Sequence, residues 1–175
     1  LTESKAQGLA VKSNLLYDVT TTMNLGLELG LSRKWTLDVP VNYNPWKPAD
    51  GKRLRHWGVQ PELRYWFCER FNRTFIGVHA HYADFNVGGW PDWSFISENM
   101  QKSRYQGYLY GGGVSVGHSW ILRKRWSIEA SIGVGYARIE YEKYPCATCG
   151  TKLKDTGKNY LGPTKASLSL IYLIK

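Results

Sequence analysis

Met23-Asn24-Leu25-Gly26-Leu27-Glu28-Leu29-Gly30-Leu31 sets every odd position apolar and every even one Asn, Gly or Glu. A helix would scatter these leucines around its circumference, whereas a strand gathers them on one face. After Ser32, Arg33 and Lys34 the same parity resumes, with Trp35, Leu37, Val39, Val41 and Tyr43 alternating with Thr36, Asp38, Pro40 and Asn42. Two alternating runs joined by three residues predict a β-hairpin.

The alternation extends in both directions. Apolar or aromatic residues recur at Trp57 to Phe67, Ile76 to Tyr82, Tyr108 to Val116, Trp126 to Tyr136 and Ala166 to Ile174, and Val11, Leu15 and Tyr17 mark an earlier strand against Lys12 and Asn14. That makes eight strands in one domain over 1–175, and no segment reads as a helix. The chain carries 23 Lys+Arg against 14 Asp+Glu, a formal charge of +9, with 25 aromatic residues and 18 glycines. The longest stretch free of charge, Tyr105 to Leu122, is too rich in Gly, Ser and His for a spanning helix, so a helical membrane bundle is excluded. The first residues lack the basic and apolar regions of a leader, which predicts a chain that never had one or is mature. The remaining fold classes are a soluble all-β protein and a membrane β-barrel.

The second face of the strands separates those two. It is mostly Gly, Ser, Asn and Thr, with isolated charges at Lys12, Glu28, Asp38, Glu62, Arg64, Glu129 and Lys165. A soluble sheet repeats Lys and Glu along its wet face. Three cations and four anions among small residues instead suit a narrow lumen in which ion pairs satisfy one another. Aromatic residues bracket the apolar face at Trp35 and Tyr43, at Trp57 and Tyr65, and at Trp126 and Tyr136. At ~3.3 Å per residue and a tilt of roughly 40°, these spans rise about 20 to 25 Å, the height of an apolar band between two aromatic girdles. The expected fold is therefore an eight-stranded antiparallel up-and-down transmembrane β-barrel.

Connections follow the same plan. Ser32 to Lys34, Cys68 to Arg73 and Ser119 to Arg125 are short, while Asn44 to His56, Asn86 to Arg104 and Glu142 to Gly162 are long; Asp18 to Thr22 is the brief exception. Tight turns at one end and long loops at the other are typical of bacterial outer-membrane barrels, with both termini periplasmic.

Several stretches carry a family resemblance: Lys12-Ser13-Asn14-Leu15-Leu16-Tyr17-Asp18, Asn42-Tyr43-Asn44-Pro45-Trp46, Arg55-His56-Trp57-Gly58-Val59-Gln60-Pro61-Glu62, Arg64-Tyr65-Trp66-Phe67-Cys68-Glu69-Arg70-Phe71, Phe75-Ile76-Gly77-Val78-His79 and Ser169-Leu170-Ile171-Tyr172-Leu173-Ile174. Over nearly its whole length the chain resembles a Bacteroidetes outer-membrane β-barrel family catalogued only as a domain of unknown function. The resemblance implies an outer-membrane location and an OmpA/OmpX-like small barrel, and it supplies no catalytic residue. The Cys146 region and the loop from Trp90 to Trp93 fall outside the shared pattern.

Candidate chemistry is sparse. Cys146-Ala147-Thr148-Cys149 follows a proline in a long loop. A redox pair would sit at a helix N-terminus, and zinc would need two further ligands, from a partner chain if anywhere. A disulfide between Cys146 and Cys149, stapling the loop, is the simpler expectation, and Cys68 is left as a structural thiol. His79 and His81 point to the lumen side. They are expected as buried hydrogen-bonding groups; an enzymatic use would require a Ser neighbour at a lipid-accessible surface. Glu28 and Asp38 should face each other across the first hairpin, with Arg64, Lys12 or Lys165 between them or one carboxyl protonated. Eight strands leave little bore, so a pore is not expected.

The seven lumen charges sum to −1, which leaves the rest of the basic excess on turns, loops and termini, including Lys52, Arg53 and Arg55. These cations suit lipopolysaccharide phosphates, and they equally suit plain solubilising loops. Trp90 and Trp93 could meet a partner or a sugar, or fold onto the barrel rim. Nothing offers a nucleic-acid-binding face. The glycine-rich strand Gly107 to Gly117 would present a flat wall around Gly112 to another barrel. The expected function is thus a non-enzymatic structural or accessory subunit of a larger outer-membrane complex, without cofactor or metal. Its partners would be outer-membrane lipid, lipopolysaccharide and other outer-membrane proteins. The alternatives are a lipid-modifying enzyme of the lipid A deacylase or acyltransferase kind, and a soluble lipocalin-like ligand-binding barrel.

Overall fold

Alternation this persistent forces strands that are apolar on one side only, and closing them into a ring leaves no unpaired edge. The computed structural model describes residues 8–19, 22–45, 53–88, 104–144 and 154–174. The elements are β1 (Leu9–Asn14), α1 (Leu15–Val19), β2 (Met23–Gly30), β3 (Trp35–Asn44), β4 (Arg53–Val59), β5 (Glu62–Trp66), β6 (Arg73–Gly88), β7 (Arg104–Arg123), β8 (Trp126–Tyr144) and β9 (Lys154–Leu173). All pairings are antiparallel between neighbours, and β1 pairs with both β2 and β9, so the sheet closes. β4 and β5 both lie between β3 and β6, one above the other, so nine strands fill eight places around the ring.

Three local readings need correction. The strand expected over Trp57 to Phe67 is broken at Gln60 and Pro61, where proline has no N–H to donate to the ladder. The strand expected to run through Tyr17 stops at Asn14, and α1 follows. There the Asn14 Oδ1 accepts the Leu16 N–H at 3.1 Å, the local side-chain bond that starts a helical turn in place of more strand. Strands β6 to β9 also run well past their predicted ends, reaching 16 to 20 residues, as the ladder between β7 and β8 continues beyond Tyr110 and Arg138 to Arg104 and Tyr144.

The two faces differ completely. Leu27 is 45% exposed on the outside of β2, and Glu28 beside it is 0% exposed inside the ring. Gly77 on β6 shows why the inward positions are small. A Cβ there would lie 2.7 Å from both Glu62 Oε1 and Ser115 Oγ, in space the buried charges already fill. At the short-turn end the bore is closed by an apolar floor of Ala10, Trp66, Phe71, Phe75 and Ile171. Phe71 reaches this floor from a left-handed backbone conformation (φ 62°), a strain that non-glycine residues adopt only when surroundings hold them.

Candidate functional site

Above the floor lies a layer of ions built by the inward parity of six strands, β1, β2, β3, β5, β8 and β9. Glu28 (β2) and Asp38 (β3) are directly opposite, as are Asp38 and Glu62 (β5), so three carboxylates meet side by side. Such crowding holds only if cations enter between them. Arg64 does so from the centre of the bore. Its Nη2 lies 2.6 Å from Asp38 Oδ2, its Nε 2.6 Å from Glu62 Oε2, and its Nη1 3.1 Å from Glu28 Oε2 and 3.0 Å from Glu129 Oε1. The guanidinium also stacks on the floor, 4.4 Å from the Phe75 ring centroid. Lys12 (β1) pairs with Glu28 and reaches Glu129 at 3.2 Å and Asp38 at 3.7 Å. Lys165 (β9) reaches Glu62 at 2.5 Å.

All seven residues named from the parity pattern are buried, and each makes an ion pair with at least one of the others. Neutral partners fix the remaining geometry. Trp66 Nε1 donates to Thr36 Oγ1 at 2.9 Å, Thr36 donates to Glu28 Oε1, and Ser115 donates to Glu62 Oε1. Parity had placed Thr36 and Ser115 inside, but a hydroxyl carries no signal of which carboxylate it will meet.

On the long-loop side of the ions is a polar cavity of about 330 Å³, lined by Asn14, Asn24, Asp38, Asn42, Gln60, Lys165 and Ser167, among others. A second cavity of about 370 Å³ continues toward His81, Leu109 and Ile139, and Tyr17, Asn42, Gln60, Pro163 and Thr164 line both. The sequence signal for these walls was the inward parity of Asn24 and Asn42. Tyr17 could not be found that way, because α1 turns it off the strand pattern.

His79 lies inside and meets Thr164 Oγ1 through Nε2 at 2.9 Å; its ring is 5.8 Å from that of His81. Among the described residues no group of three or more His, Cys, Asp or Glu is placed to hold a metal ion. Cys68 is an exposed free thiol in the turn between β5 and β6. Cys146, Cys149, Trp90, Trp93 and Lys52 lie outside the described residues, and only the backbone of Arg53 is described, at the start of β4.

No helix of the described residues is long and apolar enough to cross a membrane, which leaves crossing by strands open. No curated protein and no solved structure matches the chain. One family model, described as "Protein of unknown function (DUF3575)", matches residues 1–174, and the chain belongs to that family.

Proposed function

We propose that this chain is an integral outer-membrane β-barrel of a Bacteroidetes-type bacterium, OmpA/OmpX-like in size, with both termini periplasmic. The observation that carries this reading is the outer wall. From Leu25 to Leu31, Trp35 to Tyr43, Leu63 to Phe67, Thr74 to Tyr82, Tyr108 to Trp120, Trp126 to Tyr136 and Ala166 to Tyr172, no outward-parity residue is charged. Many are large hydrophobics exposed by 40% or more, among them Leu25, Val78, Val114 and Ile132. A surface of that extent is unfavourable in water and suits acyl chains.

Aromatic rings lie at both ends of this band. Trp35 and Tyr65 pack at 5.1 Å and Trp126 and Tyr172 at 5.0 Å near the short turns. Trp57, Tyr82, Tyr108 and Tyr110 form a chain of ring contacts at the other end. Such paired girdles fit two membrane interfaces.

The role that follows is non-enzymatic. The interior charges are occupied with one another, so the wall and loops remain as contact surfaces for a larger outer-membrane complex or for lipopolysaccharide. Small outward residues, Ala80 and Gly112, pair directly across β6 and β7 and give a smooth patch for a neighbouring barrel. A gel without boiling tests the membrane reading: the folded protein, extracted only with detergent, should migrate apart from the boiled form. Extraction by salt alone, or identical migration, would favour a soluble barrel. Native mass spectrometry after gentle extraction tests the subunit role, and a strictly monomeric species would count against it. An altered lipid A profile on deletion would favour the enzymatic alternative.

A further inference from the structure

Charge is spread very unevenly between the two ends of the ring. At the short-turn end, the turns 31–34, 67–72 and 124–125 and the strand residues beside them carry Lys34, Arg73, Arg123, Lys124 and Arg125, all exposed, in addition to Arg33 and Arg70. Glu69 is the one acid among the described residues there. At the long-loop end acids stand among the bases: Asp84, Glu140 and Asp155 accompany Arg55, Arg138 and Lys158, and Glu140 accepts from Arg138 Nε at 3.0 Å. The short-turn rim thus has one sign, and a surface of one sign concentrates the opposite charge against it. Resting on the membrane reading above, we infer that this rim binds the headgroups of anionic phospholipids, phosphodiesters of net negative charge such as phosphatidylglycerol, in the leaflet at that end of the barrel.

The placement of the cations selects a lipid over a soluble acidic protein. Lys34 Nζ lies 5.9 Å from the centre of the Tyr65 ring, which packs on Trp35 at 5.1 Å. Arg125 Nη1 donates to the Tyr172 hydroxyl at 3.4 Å, and Tyr172 packs on Trp126 at 5.0 Å. Both cations therefore stand against rings of the outer wall, at the level where amphipathic rings meet headgroups. Arg123 lies opposite Trp126 in the ladder between β7 and β8. Arg73 opens β6, and beside it on the wall Thr74 Oγ1 and His118 Nδ1 meet at 2.9 Å, with the His118 ring 4.8 Å from that of Trp120. The apolar series of β6 begins only at Ile76. Cations, rings and small polar groups thus share one narrow level. Arginine forks take two phosphate oxygens at once and lysine adds a point charge, which suits phosphodiesters lying at that depth.

The turns that carry these cations are tied to their neighbours. The Trp66 N–H donates to the Lys34 carbonyl at 2.8 Å, the Leu173 N–H to the Arg125 carbonyl at 2.8 Å, and the Phe67 N–H to the Thr74 carbonyl at 3.1 Å. The backbone is therefore in place before a lipid arrives, and only side-chain freedom is lost on contact. Because the cations sit on three separate turns, the rim meets several headgroups around the ring and encloses no single one. Each basic residue close to an anionic lipid surface favours contact by roughly fivefold. The charges are exposed, so the preference weakens as salt shortens the Debye length, about 10 Å at 0.1 M.

The test gives the full chain, folded in a neutral detergent, equal amounts of phosphatidylglycerol and phosphatidylcholine, and native mass spectrometry counts the lipids retained. At low ionic strength phosphatidylglycerol should be retained about tenfold or more over phosphatidylcholine, and the ratio should fall as salt is added. The triple variant Arg123→Ser, Lys124→Ser, Arg125→Ser should cut that ratio by about tenfold. A matched triple at the long-loop end, Arg55→Ser, Arg138→Ser, Lys158→Ser, should leave it intact. Equal retention of the two lipids by the unaltered chain, a ratio untouched by the short-turn variant, or the same loss in both variants overturns the inference. A short polyglutamate peptide retained where phosphatidylglycerol is not overturns it in favour of an acidic protein partner. If the short-turn variant does not fold, the lipid competition and its salt dependence on the unaltered chain decide alone. A chain that migrates as a heat-modifiable barrel and shows no lipid preference loses this inference and keeps the membrane reading, whereas a chain soluble without detergent loses the membrane reading itself.

Discussion

Leu27 and Glu28 are adjacent on β2 and belong to opposite environments. Leu27 and its cross-strand neighbours Val11 and Val39 form a wall with no charge, while Glu28, Asp38 and Lys12 beneath them share a compact ionic layer. A soluble barrel inverts this assignment, with apolar groups inside and charges out. Here the interior is held by paired ions and a small aromatic floor, and the hydrophobic surface is kept for whatever surrounds the ring.

Disrupting the ionic layer should destabilise the barrel most. Arg64 touches all four carboxylates of the cluster. Arg64→Met removes the shared cation and leaves four anions facing two lysines. Removing one partner of a buried ionic network typically costs about 3–5 kcal/mol. Urea titration in detergent, followed by tryptophan emission, should show a midpoint far below that of the unaltered chain. A loss under 1 kcal/mol would mean the layer is hydrated like a surface pair and the ring is looser than the distances indicate.

A charge placed on the outer wall should cost somewhat less. Leu27→Arg places a cation in the middle of the charge-free wall, where a membrane barrel loses about 2–4 kcal/mol near the bilayer midplane and a soluble one loses almost nothing. Folding into vesicles, compared between Leu27→Arg and a control at the upper end of the wall, Leu161→Arg beside Tyr136, reads the depth dependence. Equal, negligible costs at both positions would overturn the membrane assignment of the wall.

Much of this was legible because parity is a robust signal: a period of two assigns every residue to one face, and β2 with β3 follows it without interruption. The seven charges were legible for the same reason, since isolated ions on a face of Gly and Ser can survive only in mutual contact. The α1 turn was not, because Leu15 and Tyr17 continue the apolar alternation while Asn14 bonds locally to Leu16 and ends the strand. The break at Gln60–Pro61 was masked by Pro61 standing at an apolar parity position. Nor could parity give the order of contacts inside. That Arg64, and not Lys12 or Lys165, bridges all four carboxylates follows from its planar, multidentate head and from the Phe75 ring beneath it.

The smallest effect lies where the charge-free wall ends. On β8 the outward series Ile132, Val134, Tyr136 gives way to Arg138 and Glu140, which marks the upper boundary of the band. Glu140 accepts from the Tyr108 hydroxyl and, at 3.0 Å, from Arg138 Nε. Those two hydrogen bonds, Tyr108 first, hold its carboxyl below the ordinary carboxylate range. A depressed acid stabilises the folded state above its unfolded pKa, and that contribution is lost as pH falls through the folded value. Tyr108→Phe removes the larger cause, so carbon NMR of the labelled Glu140 carboxyl should show its midpoint moving up toward the unperturbed value. The two proteins should differ in stability only on the neutral side and converge in acid, by an amount small for so exposed a group. An unchanged midpoint would mean that water has already replaced the tyrosine, and the boundary between apolar wall and wetted rim would then have to be drawn closer to Tyr136.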